Sequence, residues 1–245
     1  MTTAFATTPS PVRGVEKSPD RPDPDRPPPL VNGDRLTRDE FERRYAAMPE
    51  TTKAELIDGR VYLMASPVSR VWHGRPHYLA VHWLATYEEV TPGVEGGDNT
   101  TVRLDLDNEP QPDIYLRILP ECGGQTTDDG DYVGGAPELV VEIAGSTASY
   151  DLHEKLDAYR RNGVKEYIVW TTHENELRWF VLHESRYEGL AVEGDGRLRS
   201  VAFPGLWLDP QALLAGDLKQ VRAAVMEGTA TPEHHAFLAT LRADR

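Results

Sequence analysis

The sequence predicts a single mixed α/β domain flanked by tails, and three stretches carry that expectation. "PELVVEIAGS" (137–146) is apolar on both faces at Leu139, Val140, Val141 and Ile143, as a strand in the middle of a sheet must be. A helical pattern and a second apolar run, "VKEYIVW", follow it, so that strand, helix and strand succeed one another over about thirty residues as a βαβ unit with parallel strands. Upstream, "KAELIDGRVYLMA" alternates into two arms about Asp58-Gly59, a strong hairpin dipeptide.

Residues 1–33 include "PDRPDPDRPPPL" and almost no apolar period, the composition of a disordered Pro-rich tail. A domain over 34–209 and a C-terminal helical tail over 210–245, with weak caps, complete the expected organisation. Within the domain, Thr37 and Glu40 form a capping box for a short helix whose apolar face is Leu36, Phe41 and Tyr45. The hairpin follows. Pro76 then suits the first turn of a helix reaching about Val90, with Leu79, Trp83, Tyr87 and Val90 at helical spacing. "NTTVRLDLD" and "PDIYLRIL" read as strands, and "ECGGQTTDDGDYVGG" as an exposed, mobile loop in which Cys122 is incidental. In the βαβ unit, Asp151 and Glu154 read as a second capping box, Leu152, Leu156 and Tyr159 as an apolar stripe, and Asn162-Gly163 as the helix stop. "ELRWFVLHE" and "GLAVEG" form an added antiparallel ribbon, with "FPGLWLD" as a last packing segment.

Length and composition bound the function. With 245 residues and 39% hydrophobic content the chain supports a substantial core. Its single cysteine excludes an internal disulfide framework. No apolar run is long enough for a membrane helix and no signal peptide is visible, so the expected compartment is the cytoplasm. A net charge of −14 argues against a non-specific nucleic-acid coat but not against a nuclease, whose metal site is itself acidic.

Three carboxylates and one amine stand out. Glu142 lies inside the apolar strand, where an unpaired charge costs several kcal/mol or more. Asp113 opens the strand after Pro112, and Glu55 lies in the first hairpin arm. Lys155 falls on or beside the packing stripe of its helix, which the βαβ geometry lays back over the strand holding Glu142. A pocket of Asp, Glu and Lys suits phosphodiester hydrolysis: carboxylates hold a hard divalent cation, and an amine orients water or stabilises the pentacovalent state.

"AELIDGRVYLMASP", "PDIYL", "PELVVEIAGSTASYDLHEKLDAYRRNGVKEYIVW" and "FPGLWLD" together resemble the Uma-two family of restriction-endonuclease-like proteins, in the PD-(D/E)XK nuclease superfamily, from about Leu36 to Asp209. The resemblance implies a restriction-endonuclease-like mixed sheet with flanking helices and an added N-terminal helix-hairpin. It implies a Mg²⁺- or Mn²⁺-dependent endonuclease acting on nucleic acid, with DNA the expected substrate. Asp113 and Glu142 would be the metal ligands, Lys155 the water-positioning amine, and Glu55 a further ligand or general base. The superfamily's usual lysine position is Ala144 here, and the amine moves to Lys155. His73 matches a histidine frequent in the family. A homodimer is expected, since a double-strand cut needs two sites.

Plainer readings stand beside each residue. Glu142 and Lys155 could be a structural ion pair, Asp113 a strand cap, Glu55 an exposed hairpin residue, and Lys155 a snorkelling surface amine. His73 and His77 have the spacing of a zinc pair on one helix, but Pro76 argues against a continuous helix through both. His82 reads as a core histidine, and His234-His235 as solvated tail. Arg43-Arg44 and Arg160-Arg161 are either solvated helix faces or phosphate contacts. The chain could also be a non-catalytic relative that binds nucleic acid or a protein partner.

Overall fold

A computed structural model describes residues 26–64 and 67–243. Helix α1 (Arg38–Tyr45) is capped by the Thr37 hydroxyl, which accepts from Glu40 N as the capping-box reading requires. Strands β1 (Ala54–Ile57) and β2 (Arg60–Leu63) form the hairpin, with Asp58 and Gly59 both at positive φ, the conformation a two-residue turn demands. Of the expected Pro-rich tail, residues 1–25 lie outside the described residues. Residues 26–33 run along the hairpin, and Leu30 is buried with Phe41, Leu56 and Val61 in a small core of their own.

A π-helical turn (Arg70–Gly74) leads directly into α2 (Arg75–Glu89), so the backbone is helical through both His73 and His77. This corrects the expectation from Pro76: in the first turn a proline lacks only an N–H that has no intrahelical partner. The next strand is β3 (Val94–Asp98), formed by "VEGGD", and not the run "NTTVRLDLD", of which only β4 (Val102–Arg103) is extended. Gly97 permits it, because a Cβ there would stand 2.5 Å from the Tyr115 ring.

Strand β5 (Ile114–Ile118) is buried throughout. The stretch after it is ordered, contrary to expectation: β6 (Thr127–Asp129) and β7 (Tyr132–Gly134) join β4 in a small sheet. Cys122, Thr126 and Val133 of this stretch are buried, and the Cys122 side chain packs in the main core. Strand β8 (Leu139–Ala144) carries Glu142, and β9 (Glu166–Thr171) pairs with it in parallel. Between them the helix is broken into α3 (Ala148–Leu152) and α4 (Glu154–Asn162), with His153 off helical geometry and Gly163 closing α4 at positive φ. The Asp151/Glu154 capping box does not form. Asp151 is a buried residue inside α3, and a residue already within a helix cannot cap the next one.

The ribbon is β10 (Glu176–His183) with β11 (Arg186–Gly189), so the returning arm precedes "GLAVEG". Strands β12 (Leu198–Arg199) and β13 (Trp207–Leu208) pair together, and α5 (Pro210–Ala215), α6 (Leu218–Thr229) and α7 (Pro232–Ala243) end the chain. The caps of α5 and α6 are good ones, since Asp209 and Asp217 accept from the backbone of their first turns.

The main sheet runs β11-β10-β9-β8-β5-β3. Alternation along β8 divides it. Leu139, Val141 and Ile143 face the principal core with α2 and the C-terminal helices, whose Leu213, Val221, Val225 and Leu241 enter the same cluster. Val140, Glu142 and Ala144 face α3 and α4, beside Tyr159 and Tyr167. Each fully buried aliphatic contributes about 1.5–3 kcal/mol. That apolar surround fixes Glu142 in place and makes its charge costly. His234 also belongs to the interior: it is buried against Tyr87, with Nδ1–H donating to Thr229 O at 2.9 Å and Nε2 3.0 Å from Thr91 Oγ1. The expected solvated tail is a packed helix.

Candidate active site

Glu142 is 3% exposed and does not stand alone. Its Oε1 accepts from Lys155 Nζ at 2.9 Å and from the Tyr159 hydroxyl at 3.0 Å. Lys155 comes from the inward face of α4, as its place on the apolar stripe requires. It also reaches Glu55 Oε1 at 2.8 Å and lies 3.9 Å from Asp151 Oδ1. Glu55 is buried in β1, so the exposed-hairpin reading fails, as does that of Lys155 as a snorkelling amine. Both oxygens of Glu55 are engaged: Oε1 accepts from Gln111 N at 2.7 Å and Oε2 from the Tyr150 hydroxyl at 3.3 Å. Such a carboxylate is built to hold Lys155 in place.

Asp113 precedes β5 at the position that continues its pairing with β8 toward Glu142. Its Oδ2 accepts from Ile143 N at 2.7 Å, and its Oδ1 lies 3.4 Å from His73 Nε2. His77 Nε2 sits 3.0 Å from the Asp113 carbonyl, so its N–H holds the backbone of the aspartate and is turned away from any pairing with His73 on a common ion.

Glu55, Asp113, Glu142 and Lys155 all line one cavity of about 350 Å³. Asp151 and His73 line it as well, and Val68 and Trp72, both exposed, stand at its rim. Sequence reasoning took Asp151 for a helix cap and Tyr159 for packing alone. Their signal was helical spacing, which places Asp151 and Tyr159 each four residues from Lys155 on one face.

Four carboxylates and two lysines, Lys53 and Lys155, line the cavity, which leaves it with surplus negative charge. Burial pushes the Glu142 carboxyl well above the usual range; Lys155 opposes this, and Asp113, Asp151 and Glu55 add to it. Burial likewise raises Asp151 to about 6. For Lys155 desolvation favours loss of the proton, but the combined field of Glu142, Glu55 and Asp151 outweighs it and raises the group, so it stays an ammonium. The carboxylates that keep Lys155 charged also add to the rise of Glu142, as expected where negative groups outnumber positive ones. Oxygen donors with a cation deficit fit a hard divalent ion. Among the described residues no group of three or more His, Cys, Asp or Glu side chains is placed to hold a metal ion, so an ion here would rest on no more than two of them and take the rest of its shell from water or substrate oxygens.

A mixed sheet with flanking helices, carrying an acidic cleft with a buried lysine, defines a nuclease-like α/β protein. The chain belongs to the Uma2 family, described as "Putative restriction endonuclease", whose model matches residues 38–211. The fold is similar to that of the crystal structure of "a putative nuclease belonging to DUF820" from Anabaena variabilis ATCC 29413. That match has a TM-score of 0.52 at 14% identity and covers 78% of this chain and 99% of that one. No curated protein matches the chain. Among the described residues no helix is long and apolar enough to cross a membrane.

Proposed function

We propose that the chain is a divalent-cation-dependent endonuclease that hydrolyses phosphodiester bonds, with DNA as substrate, acting in the cytoplasm as a homodimer. The observation that carries this reading is the meeting of Asp113, Glu142 and Lys155 in one cavity. Asp113 Oδ1 and the Glu142 oxygen not taken by Lys155 and Tyr159 would hold Mg²⁺ or Mn²⁺. When bound, the ion supplies an acidified water and offsets charge on the scissile phosphate.

The rest belongs to the chain itself. Lys155, kept protonated by its carboxylates, donates hydrogen bonds and cannot act as a general base at neutral pH. It orients the attacking water and offsets the negative charge that grows on the phosphoryl oxygens. Glu55 fixes the ammonium through its own bonds to Gln111 N and Tyr150. Tyr159 holds one oxygen of Glu142 so that the other faces the cavity.

The test is cleavage of supercoiled plasmid and of matched DNA and RNA oligonucleotides, with and without Mg²⁺ or Mn²⁺. The wild type should nick or linearise DNA only with the ion, and Asp113→Asn and Lys155→Met should not. Equal cleavage by all three proteins, or none by any, would overturn the reading; preferential cutting of RNA would correct its substrate. Light scattering on the same samples tests the dimer.

A further inference from the structure

Trp72 has no part in the hydrolytic roles above, yet it stands at the rim of the same cavity and is 43% exposed. It is held in place all the same. Its backbone N–H donates to Ser69 Oγ at 3.2 Å, and its carbonyl accepts from the Thr172 hydroxyl at 2.7 Å, just past the end of β9. The indole stacks on His173, with ring centroids 4.5 Å apart and planes 28° from parallel. His173 thus covers one face of the ring, and Val68, also exposed, extends the apolar surface along the rim. One residue further on, His73 lies 3.4 Å from Asp113 Oδ1, so the indole and the carboxylates are neighbours in the chain as well as in the cavity.

Three features name what would lie there. A fixed, solvent-facing indole receives another flat π system, and every nucleobase offers one. Glu142 and Lys155 lie at the buried end of a cavity of about 350 Å³, room for a nucleotide and far too little for a duplex. The cations at the mouth suit phosphate: Lys53 lines the cavity, and Arg70 is two residues from Trp72 in the same π-helical turn. Both are exposed and, among the described residues, neither is in an ion pair with a carboxylate. Inside a duplex the faces of each base are covered by its neighbours, so only an unpaired or extruded base can lie against the indole.

We propose that Trp72, backed by His173, is a stacking platform for a nucleobase beside the scissile phosphate, and that the substrate is therefore single-stranded or locally unpaired DNA in preference to intact duplex. Stacking is indifferent to base identity, so the platform positions the strand without conferring sequence specificity. This rests on the nuclease reading above, which names the polymer, and specifies the form in which that polymer enters.

The experiment is binding of a labelled oligothymidylate to the intact protein at low salt with a chelator present, so that nothing is cut. Anisotropy is read beside two other probes, its blunt duplex with oligoadenylate and an abasic oligomer of equal length and charge. The wild type should bind the single strand at least about tenfold more tightly than either of the others. Trp72→Ala should bring thymidylate and abasic oligomer to equal affinity, while Trp72→Phe should keep the wild-type preference within about threefold. A tryptophan with a merely structural role would lower affinity for all three probes together, and that result would overturn the platform. The abasic comparison needs no variant, so a poorly folded mutant leaves the test standing. Equal wild-type affinity for thymidylate and abasic oligomer, tighter binding of the duplex, or no binding of any probe would also overturn the platform, and ion-dependent cleavage of plasmid would still uphold the nuclease reading. A preference for bases that Trp72→Ala removes, without cleavage under Mg²⁺ or Mn²⁺, would uphold the platform and overturn the nuclease reading.

Discussion

Lys155 Nζ stands 2.8 Å from Glu55 Oε1, and this contact ties α4 to the N-terminal hairpin through two side chains that are 5% and 1% exposed. Removing the ammonium strands Glu55 as an unpaired buried charge and takes from Glu142 its hydrogen-bond donor and the charge that opposes its protonation. Breaking one side of such a pair costs about 3–5 kcal/mol, against about 0–1 kcal/mol for a surface pair. Lys155→Met should therefore lower the unfolding free energy by about that larger amount in urea titrations, in addition to abolishing cleavage. Combining it with Glu55→Gln should restore part of the loss. Simple additivity of the two variants would show that the contact carries no coupling.

Glu142 is the opposite case. Burial and its carboxylate neighbours favour its neutral form, so a neutral isostere relieves the metal-free protein. Glu142→Gln should keep or raise the melting temperature without added ion, while cleavage falls roughly 10²- to 10³-fold, a stability gain at the expense of function. A large drop in melting temperature would mean that the carboxylate is held chiefly as Lys155's structural partner.

How much of this was legible depended on whether the signal was local. The Thr37 N-cap, the Asp58-Gly59 turn and the stop at Gly163 are decided by a few adjacent residues and formed as expected, although the Glu40 half of the capping box did not, its carboxylate being taken by Arg43 and Arg44. The four proposed site residues could be collected because one apolar strand and one helical stripe made Glu142 and Lys155 anomalous before any contact was known. What the sequence hid was set by distant partners. The Gly96-Gly97 strand exists because Tyr115 covers it, and Cys122 is buried because a glycine-rich segment folds back over the core. Asp151 resembles a cap in sequence but is claimed by Lys155, and His234 resembles tail but is claimed by Tyr87, Thr91 and Thr229.

His234 makes the C-terminal helix sensitive to acid. Burial lowers its pKa below 6.5, with the Thr229 carbonyl opposing and His235 adding to the shift. The unfolded chain then binds the proton more readily than the folded one. Stability is full above the unfolded value of about 6.5 and is lost as pH falls through it toward the lower folded value. Melting temperatures at about pH 5.5 and 7.5 should differ more for the wild type than for His234→Gln. Parallel shifts in the two proteins would place the acid sensitivity elsewhere.

Glu109 carries the reverse dependence. Its side chain is 4% exposed where the hairpin docks through the Leu56 bridge, with Arg103 Nε 3.9 Å away but only 2.9 Å from Glu42. Burial raises the Glu109 carboxyl to about 8, a hydrogen bond shared with Glu42 and its charge add to this, and Arg103 and Arg38 oppose it. An acid raised on folding binds more protons in the folded state, so its contribution is complete below the ordinary value of 4.5 and is lost as pH rises through about 8. Glu109→Gln keeps the neutral hydrogen-bonding form at every pH. Between about pH 5 and 8 the variant should gain stability steadily over the wild type in urea titrations, reaching the order of 1 kcal/mol or more. If instead Arg103 and Arg38 hold Glu109 ionised, the variant will be the less stable protein at the alkaline end, and the two curves will not cross in that direction.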